Sequence, residues 1–509
     1  MAEKQIKKKR THFMAMLGTN LYEPVYYWEN ETGKESAVED EYVQLAVIRK
    51  YIEELRENGK ITFFVTSGER GSEKKNLKNR VYDANDEKAA CERWVSVSKE
   101  KVKEGTEKKG LYTQLIEEFP ELKEKVNIVD IPDGKNETQI WDIFEKIYQE
   151  IEEDDEVVFD VTHSFRSLSI IAVIVLNYAR IMKSCDLKGF HYGLFEGAEK
   201  EADKKYVLLV DMSLMIEMLL WSDAANSFIR YGNASEISEL QKRREKRASI
   251  EERKTQEWQQ LRNMIGAMGL LGEAISCCRG SDRTDGKANK DNAQKSIKIA
   301  YKFFERCSTE MAKEKAKATK PMSELLTKAG ESFKRFNQEE NYRIGLSVVE
   351  WSIENGMVQQ GYTALEETLK TYVCYKYHLD DSSEEMRDKV VGDTLIALNK
   401  AKANSVHGKE EEKRSSDDRE EIKAYIWEND FKLKERKLYL TDEQKGVYDN
   451  IILTCPMEIA NIVAAVKEKR NDLNHFGFNP APGKANSLKE SLEKNFKRFR
   501  NLLSEKGDL

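Results

Sequence analysis

Residues 156–175 read EVVFDVTHSFRSLSIIAVIV, and they limit the fold more than any other stretch of the chain. The run opens with Val157, Val158, Phe159 and Val161, an apolar, β-branched pattern suited to a strand buried on both faces. Thr162, His163 and Ser164 interrupt it, and the apolar run over 165–182 has the length of a helix rather than a second strand. The polar segment 160–166 is therefore expected where a buried strand ends and a helix begins. At such a point free backbone N–H groups and the positive end of the helix dipole favour anions. In open α/β sheets, ligands gather just outside the carboxyl ends of the strands. The plainer alternative is that Thr162 or Ser164 caps the helix and His163 is a hydrogen-bonded loop residue.

The neighbouring segments continue the alternation of strand and helix. Residues 12–17, 61–65, 126–131, 189–195 and 206–210 read as strands, and 39–56 and 137–151 as helices, the latter entered through a turn at Asp133, Gly134, Lys135 and Asn136. Such alternation predicts a mostly parallel, doubly wound α/β sheet. Three of its strands end in small polar turns, at Gly18, Thr19 and Asn20, at Thr66, Ser67 and Gly68, and at Thr162, His163 and Ser164. Gly-x-Gly-x-x-Gly is absent, which argues against a dinucleotide cofactor.

At 509 residues the chain has length for two or three domains. A net charge of −7 argues against a protein coated in nucleic acid and leaves room for a local basic patch. Seven scattered cysteines suit reduced thiols in a cytoplasmic protein, and the basic N-terminus runs into a strand-like segment rather than a signal core. No apolar run reaches the roughly 20 residues that span a bilayer, so no membrane role is expected.

From about residue 212 the pattern is helical. Residues 242–260 read as a charge-dense, solvated or bridging helix, 278–292 as a loop, 312–320 as a lysine-rich helix face and 407–421 as a mobile insertion. Residues 351–372 read as one amphipathic helix, with Asn355 and Gly356 marking a start within it, and with Gln359 and Gln360 facing either a cleft or solvent. The stretch 459–478, IANIVAAVKEKRNDLNHFGF, is the candidate catalytic element. At about 100° per residue, Arg470, Asn471, Asn474 and His475 fill one polar arc of about 140°, with Ile462, Val466, Leu473 and Phe476 opposite. Residues 467–500 carry nine Lys or Arg against four Asp or Glu, a zone able to hold phosphates by charge. The plainer alternative is a surface histidine on a basic helix.

Two family resemblances rest on these stretches. DVTHSFR resembles the D-x-T-H-[GS]-x-R motif of CARF domains, CRISPR-associated Rossmann-like domains that bind cyclic oligoadenylates, and PDGKNETQIW is similar to another CARF segment. Arg470, Asn471 and His475 match the R-x4–6-H signature of HEPN ribonucleases, and MVQQGYTALEETL resembles a helix that recurs in them. The resemblance implies a Rossmann-like α/β CARF domain over 1–212 and a helical connector over 213–345. An all-α HEPN domain follows over 346–509, with a charged insertion near 379–450. It implies a homodimer or higher homo-oligomer whose sheets share one pocket for cyclic oligoadenylate, cyclic tetra-adenylate above all. Gly18, Thr19, Asn20, Thr66, Ser67, Thr162, His163, Ser164 and Arg166 would line that pocket. Arg470, Asn471 and His475 would cleave single-stranded RNA in type III CRISPR antiviral defence, with no cofactor or metal.

The residue types suit that chemistry. RNA carries its own nucleophile, the ribose 2′-hydroxyl; His475 would exchange a proton with it or with the leaving 5′-oxygen. Arg470 would hold the scissile phosphate and offset its growing charge. One Arg and one His make half an acid–base pair, so two chains are needed, and the products would be a 2′,3′-cyclic phosphate and a 5′-hydroxyl. A CARF sensor or transcription regulator without nuclease activity is the alternative; a pocket that cleaves its own activator, helped by Thr162, Ser164 and Arg166, would be an addition to the ribonuclease reading.

Overall fold

A computed structural model of the chain describes residues 9–17, 23–30, 32–66, 111–163, 166–280, 290–293, 295–313, 320–407, 419–475, 477–478 and 482–509. The chain forms two compact units, Met1–Leu219 and Leu220–Leu509. The first is a mixed α/β sheet domain and the second is mostly helical.

The sheet has eight strands: β1 (Thr11–Leu17), β2 (Val25–Trp28), β3 (Val38–Asp40), β4 (Gly59–Thr66), β5 (Val126–Ile131), β6 (Glu156–Asp160), β7 (Asp186–Glu201) and β8 (Lys204–Asp211). Their order is β3-β2-β8-β7-β6-β1-β4-β5, and β7, β6, β1, β4 and β5 run parallel. Every residue of β1 is buried, because it lies between β4 and β6 with helices over both faces. Its side chains alternate as a pleated strand requires. Phe13, Ala15 and Leu17 enter one core with α1 (Val43–Lys50), α2 (Ile52–Asn58) and α3 (Leu111–Glu118); Met14 and Met16 enter the other with α4 (Glu137–Glu150) and α5 (Arg166–Met182). This is the doubly wound arrangement expected from the alternation. The Asn136 side chain caps α4 by accepting from the Gln139 N–H, and Gly134 supplies the left-handed turn before it, at φ +74°.

Several expected elements are revised. β2 and β3 are additions to the expected strands: at four and three residues they carry too little alternation to register as strands in the sequence. The helix expected over 39–56 instead begins at Val43, since Glu39 and Asp40 belong to β3, and it breaks at Tyr51, whose hydroxyl is drawn to the buried His191 at 2.9 Å. The strands at 189–195 and 206–210 extend into a long antiparallel hairpin that turns through Ala202 at φ +53°.

The helical unit contains α6 (Ser213–Tyr231, which begins in the first unit), α7 (Ser235–Arg247), α8 (Ile250–Lys254), α9 (Gln256–Ser276), α10 (Ile297–Lys313), α11 (Lys320–Glu331) and α12 (Asn341–Glu354). It continues with α13 (Val358–Lys376), a π-helical stretch (Glu385–Gly392), α14 (Asp393–His407), α15 (Arg419–Asn429), α16 (Phe431–Lys437), α17 (Asp442–Thr454), α18 (Met457–Asn474) and α19 (Ala485–Glu505). The charge-dense stretch 242–260 is not one helix: α8 is a single capped turn, and α9 buries Trp258. The helix expected over 351–372 is likewise two, because Gly356 turns the chain at φ +69° between α12 and α13. α13 is the hub, burying Tyr362, Leu365, Leu369 and Tyr372 against α12, α18 and α19. At Gly345 a Cβ would meet Thr368 Oγ1 at 2.1 Å, so only glycine lets α12 lie this close to α13. Residues of the charged 379–450 region, among them Val391, Leu395, Leu398 and Trp427, join this same core. Its most charged part, 408–418, lies outside the described residues, as do 281–289 of the expected loop and 314–319 of the lysine-rich face.

Candidate functional site

The register of the sheet brings three strand ends together. Leu17 of β1 pairs with Val65 of β4, and Ala15 pairs with Asp160 of β6, so the carboxyl ends of β4, β1 and β6 lie side by side. The five parallel strands rank third, second, first, fourth and fifth along the sheet, and the order reverses between β1 and β6. That reversal is where ligands of open α/β sheets bind.

Of the residues expected there, Gly18, Thr19, Asn20, Ser67 and Ser164 lie outside the described residues; Thr66 ends β4 and Arg166 begins α5, their side chains undescribed. Thr162 is tied into the protein: its hydroxyl donates to Asp160 Oδ1 at 2.5 Å and accepts from the Gly193 N–H at 2.8 Å. The hydroxyl therefore locks the β6 exit to β7. His163 is half-buried with its ring 5.3 Å from that of Phe195. Beneath them Asp160 is fully buried and also accepts from Gln44 Nε2 at 2.9 Å. Burial pushes its carboxyl up to about 7 even though Thr162 and Gln44 favour the ionised form. Two other histidines are sheet fixtures: His12 Nε2 meets Thr62 Oγ1 at 2.8 Å, and burial holds the His191 imidazole down at about 4.

The second candidate lies in the helical unit. α18 buries Ile459, Ile462, Val463 and Val466, which leaves Asn471, Asn474 and His475 exposed at its carboxyl end. The polar arc read from the wheel is thus divided. Arg470 is partly sunk, and its Nη1 donates to Glu366 Oε2 at 3.0 Å. Asp472, off that arc, is buried and accepts from the Gly483 N–H at 2.8 Å, fixing the chain that follows the helix. Phe476 lies outside the described residues; Phe478 is 88% exposed. Gln359 is exposed and Gln360 half-buried.

Glu366 was invisible in the sequence, although it is the residue that holds Arg470. It belongs to α13, within the stretch that resembles the recurring HEPN helix, and it is 1% exposed. A buried carboxylate needs compensation. Arg470 supplies one cation, and Lys370, one turn along α13, supplies another at 3.4 Å. Burial works against the Lys370 charge, but Glu367, Asp388 and Glu366 outweigh it and hold its ammonium above the usual range. Glu367 in turn pairs with Arg387. The i, i+4 spacing of Glu366 and Lys370 was the available signal, and it reads equally well as a solvent-facing pair. Of the basic zone expected over 467–500, Lys484, Lys489, Lys494 and Lys497 are exposed, whereas Arg498 pairs with Glu458 at the amino end of α18 and Arg500 with Glu350.

Among the described residues no group of three or more His, Cys, Asp or Glu is placed to hold a metal ion, and no single helix is long and apolar enough to cross a membrane. No protein-family model matches the chain. A curated relative, CRISPR-associated protein MJ1674 of Methanocaldococcus jannaschii, is 23% identical over 261 residues, covering 48% of this chain. The match spans 34% of that relative's length. The similarity supports a CRISPR-associated protein.

Proposed function

We propose that this chain is a CARF–HEPN-type ribonuclease that cuts single-stranded RNA when cyclic oligoadenylate occupies its N-terminal sheet domain. The observation that carries the reading is the Arg470–Glu366 pair, which joins the two stretches resembling HEPN ribonucleases and leaves Asn471 and His475 in solvent beside it. Glu366 sets the guanidinium, Arg470 holds the scissile phosphate, and His475 exchanges the proton of the 2′-hydroxyl or of the leaving oxygen. The ligand would sit over the ends of β1, β4 and β6, with His163 among its contacts.

A second chain completes the acid–base pair. α5 presents Ile170, Ile174, Tyr178 and Ile181 outward, between 41% and 69% exposed, and Trp141 of α4 is 60% exposed. An apolar stripe at this spacing suits a helix-to-helix contact with its own copy across a two-fold axis. For the ligand to switch cleavage on, it must bind the active pairing of the chains more tightly than the resting one. Purified protein is incubated with labelled RNA, with and without each cyclic oligoadenylate. Cleavage that requires activator and disappears in Arg470→Ala and in His475→Ala is expected; a variant that still cuts refutes the assignment.

A further inference from the structure

The helical unit holds a cavity of about 340 Å³, bounded by α12, α13, the π-helical stretch and the turns flanking α9 and α10. That volume suits a small ligand of nucleotide size. Gly345, Val348 and Ala364 give it a small-residue wall, and Thr363 adds a hydroxyl. Its charges are unequal: Arg279, Lys295 and Arg387 line it against a single carboxylate, Glu367. Arg279 and Lys295 are exposed and, among the described residues, form no ion pair. Arg387 is 9% exposed; one of its terminal nitrogens pairs with Glu367, while its Nε has no hydrogen-bond partner among the described residues. A buried N–H without an acceptor is unfavourable, and an incoming oxygen would relieve it.

We propose that this cavity binds the phosphate of a nucleotide, with Arg387 at its depth and Arg279 and Lys295 at its mouth. Guanidinium groups match phosphate geometry and stay charged at every physiological pH. The site is also wired to Arg470. Glu367 accepts from Lys370 at 3.1 Å, Lys370 lies against Glu366, and Glu366 holds Arg470. A phosphate that draws Arg387 away from Glu367 leaves Glu367 to Lys370 and weakens the hold of Lys370 on Glu366. The nucleotide has two possible sources, a free nucleotide or the flanking residue of a bound RNA strand. The binding site stands independently of the cleavage reading, because its test measures binding rather than turnover.

The test uses the full chain and two probes: uridine 5′-monophosphate, avoiding the adenylates expected in the sheet domain, and a 2′-O-methyl uridine hexamer that cannot be cleaved. Calorimetry is expected to show binding to the wild type and at least a tenfold loss for the monophosphate in the Arg279→Ala, Lys295→Ala double variant. Its thermal midpoint and its affinity for cyclic oligoadenylate stay unchanged. Arg387→Gln gives the same loss if it folds, and the exposed double variant carries the test if it does not. A parallel loss for the hexamer assigns the site to the strand; a loss for the monophosphate alone assigns it to a free nucleotide. A wild type that binds neither probe, or a double variant that binds both as tightly, overturns the proposal. Intact binding without activator-dependent cleavage would refute the ribonuclease reading alone.

Discussion

Replacing Glu366 by glutamine tests the contact on which the arrangement of Arg470 depends. The carboxylate is 1% exposed and meets Arg470 Nη1 at 3.0 Å, while the Arg470 side chain keeps 30% of its surface in solvent. A charge-assisted hydrogen bond of this kind contributes about 1.5–3 kcal/mol, and partial exposure of the arginine screens it toward the lower end. Glutamine preserves volume and leaves Lys370 with Glu367 and Asp388, so Glu366→Gln should destabilise the unit by about 1–2 kcal/mol. Arg470→Ala removes the same contact and leaves Glu366 with Lys370 alone, for a similar loss. The double variant should therefore lose little more than either single one, giving a coupling energy of about 1 kcal/mol or more. Urea unfolding followed by tryptophan fluorescence measures it. Losses that simply add, with coupling within about 0.3 kcal/mol of zero, refute the idea that Glu366 holds Arg470. In the RNA assay Glu366→Gln should lower kcat with little change in KM, since it disturbs an aim rather than a binding surface.

Two further outcomes follow from the sheet domain. The folded Asp160 carboxyl stands at about 7, above its ordinary value, so the folded state holds a proton that the unfolded chain has released between pH 4 and 7. Its contribution is full below pH 4 and fades as pH rises toward 7. Asp160→Asn should therefore gain stability relative to the wild type by a few kcal/mol, on the order of magnitude of such shifts, between pH 5 and pH 8. Urea unfolding at both values checks it, and a pH-independent difference refutes it. Ile174→Glu with Ile181→Glu places charges on the exposed α5 stripe and should convert the proposed dimer to monomer in sedimentation velocity without lowering the thermal midpoint; a dimer that persists removes α5 from the interface, and a wild type that is monomeric refutes the proposed pairing.

Legibility in the sequence followed burial symmetry. β1, β4 and β6 are readable because strands of a parallel sheet covered by helices are apolar runs; β5, at the sheet edge with only Ile131 buried, is readable instead from its β-branched residues Val126, Ile128, Val129 and Ile131. β2 and β3 were not, since their place at the far edge depends on β8, formed late in the chain. The break at Tyr51, where the backbone leaves the helical region at φ −112°, carries no glycine or proline to announce it. The exposed end of α18 was legible because its apolar residues fix which way the helix faces. Glu366 was not, because a glutamate on an amphipathic helix reads as solvent-facing until a helix 104 residues away covers it. Nor was the Arg279–Arg387 cavity, whose walls come from segments that only tertiary packing brings together.

The central position of β1 has a cost during synthesis. All of its residues are destined for the interior, and although β4 begins at Gly59, its second neighbour, β6, does not begin until Glu156. At about 5–20 residues per second, translation from residue 11 to residue 156 takes on the order of ten seconds. Throughout that wait one edge of a wholly buried strand has no lawful neighbour, and any other nascent strand can take its place. A holdase-type chaperone on the emerging chain would shield that edge until β6 arrives.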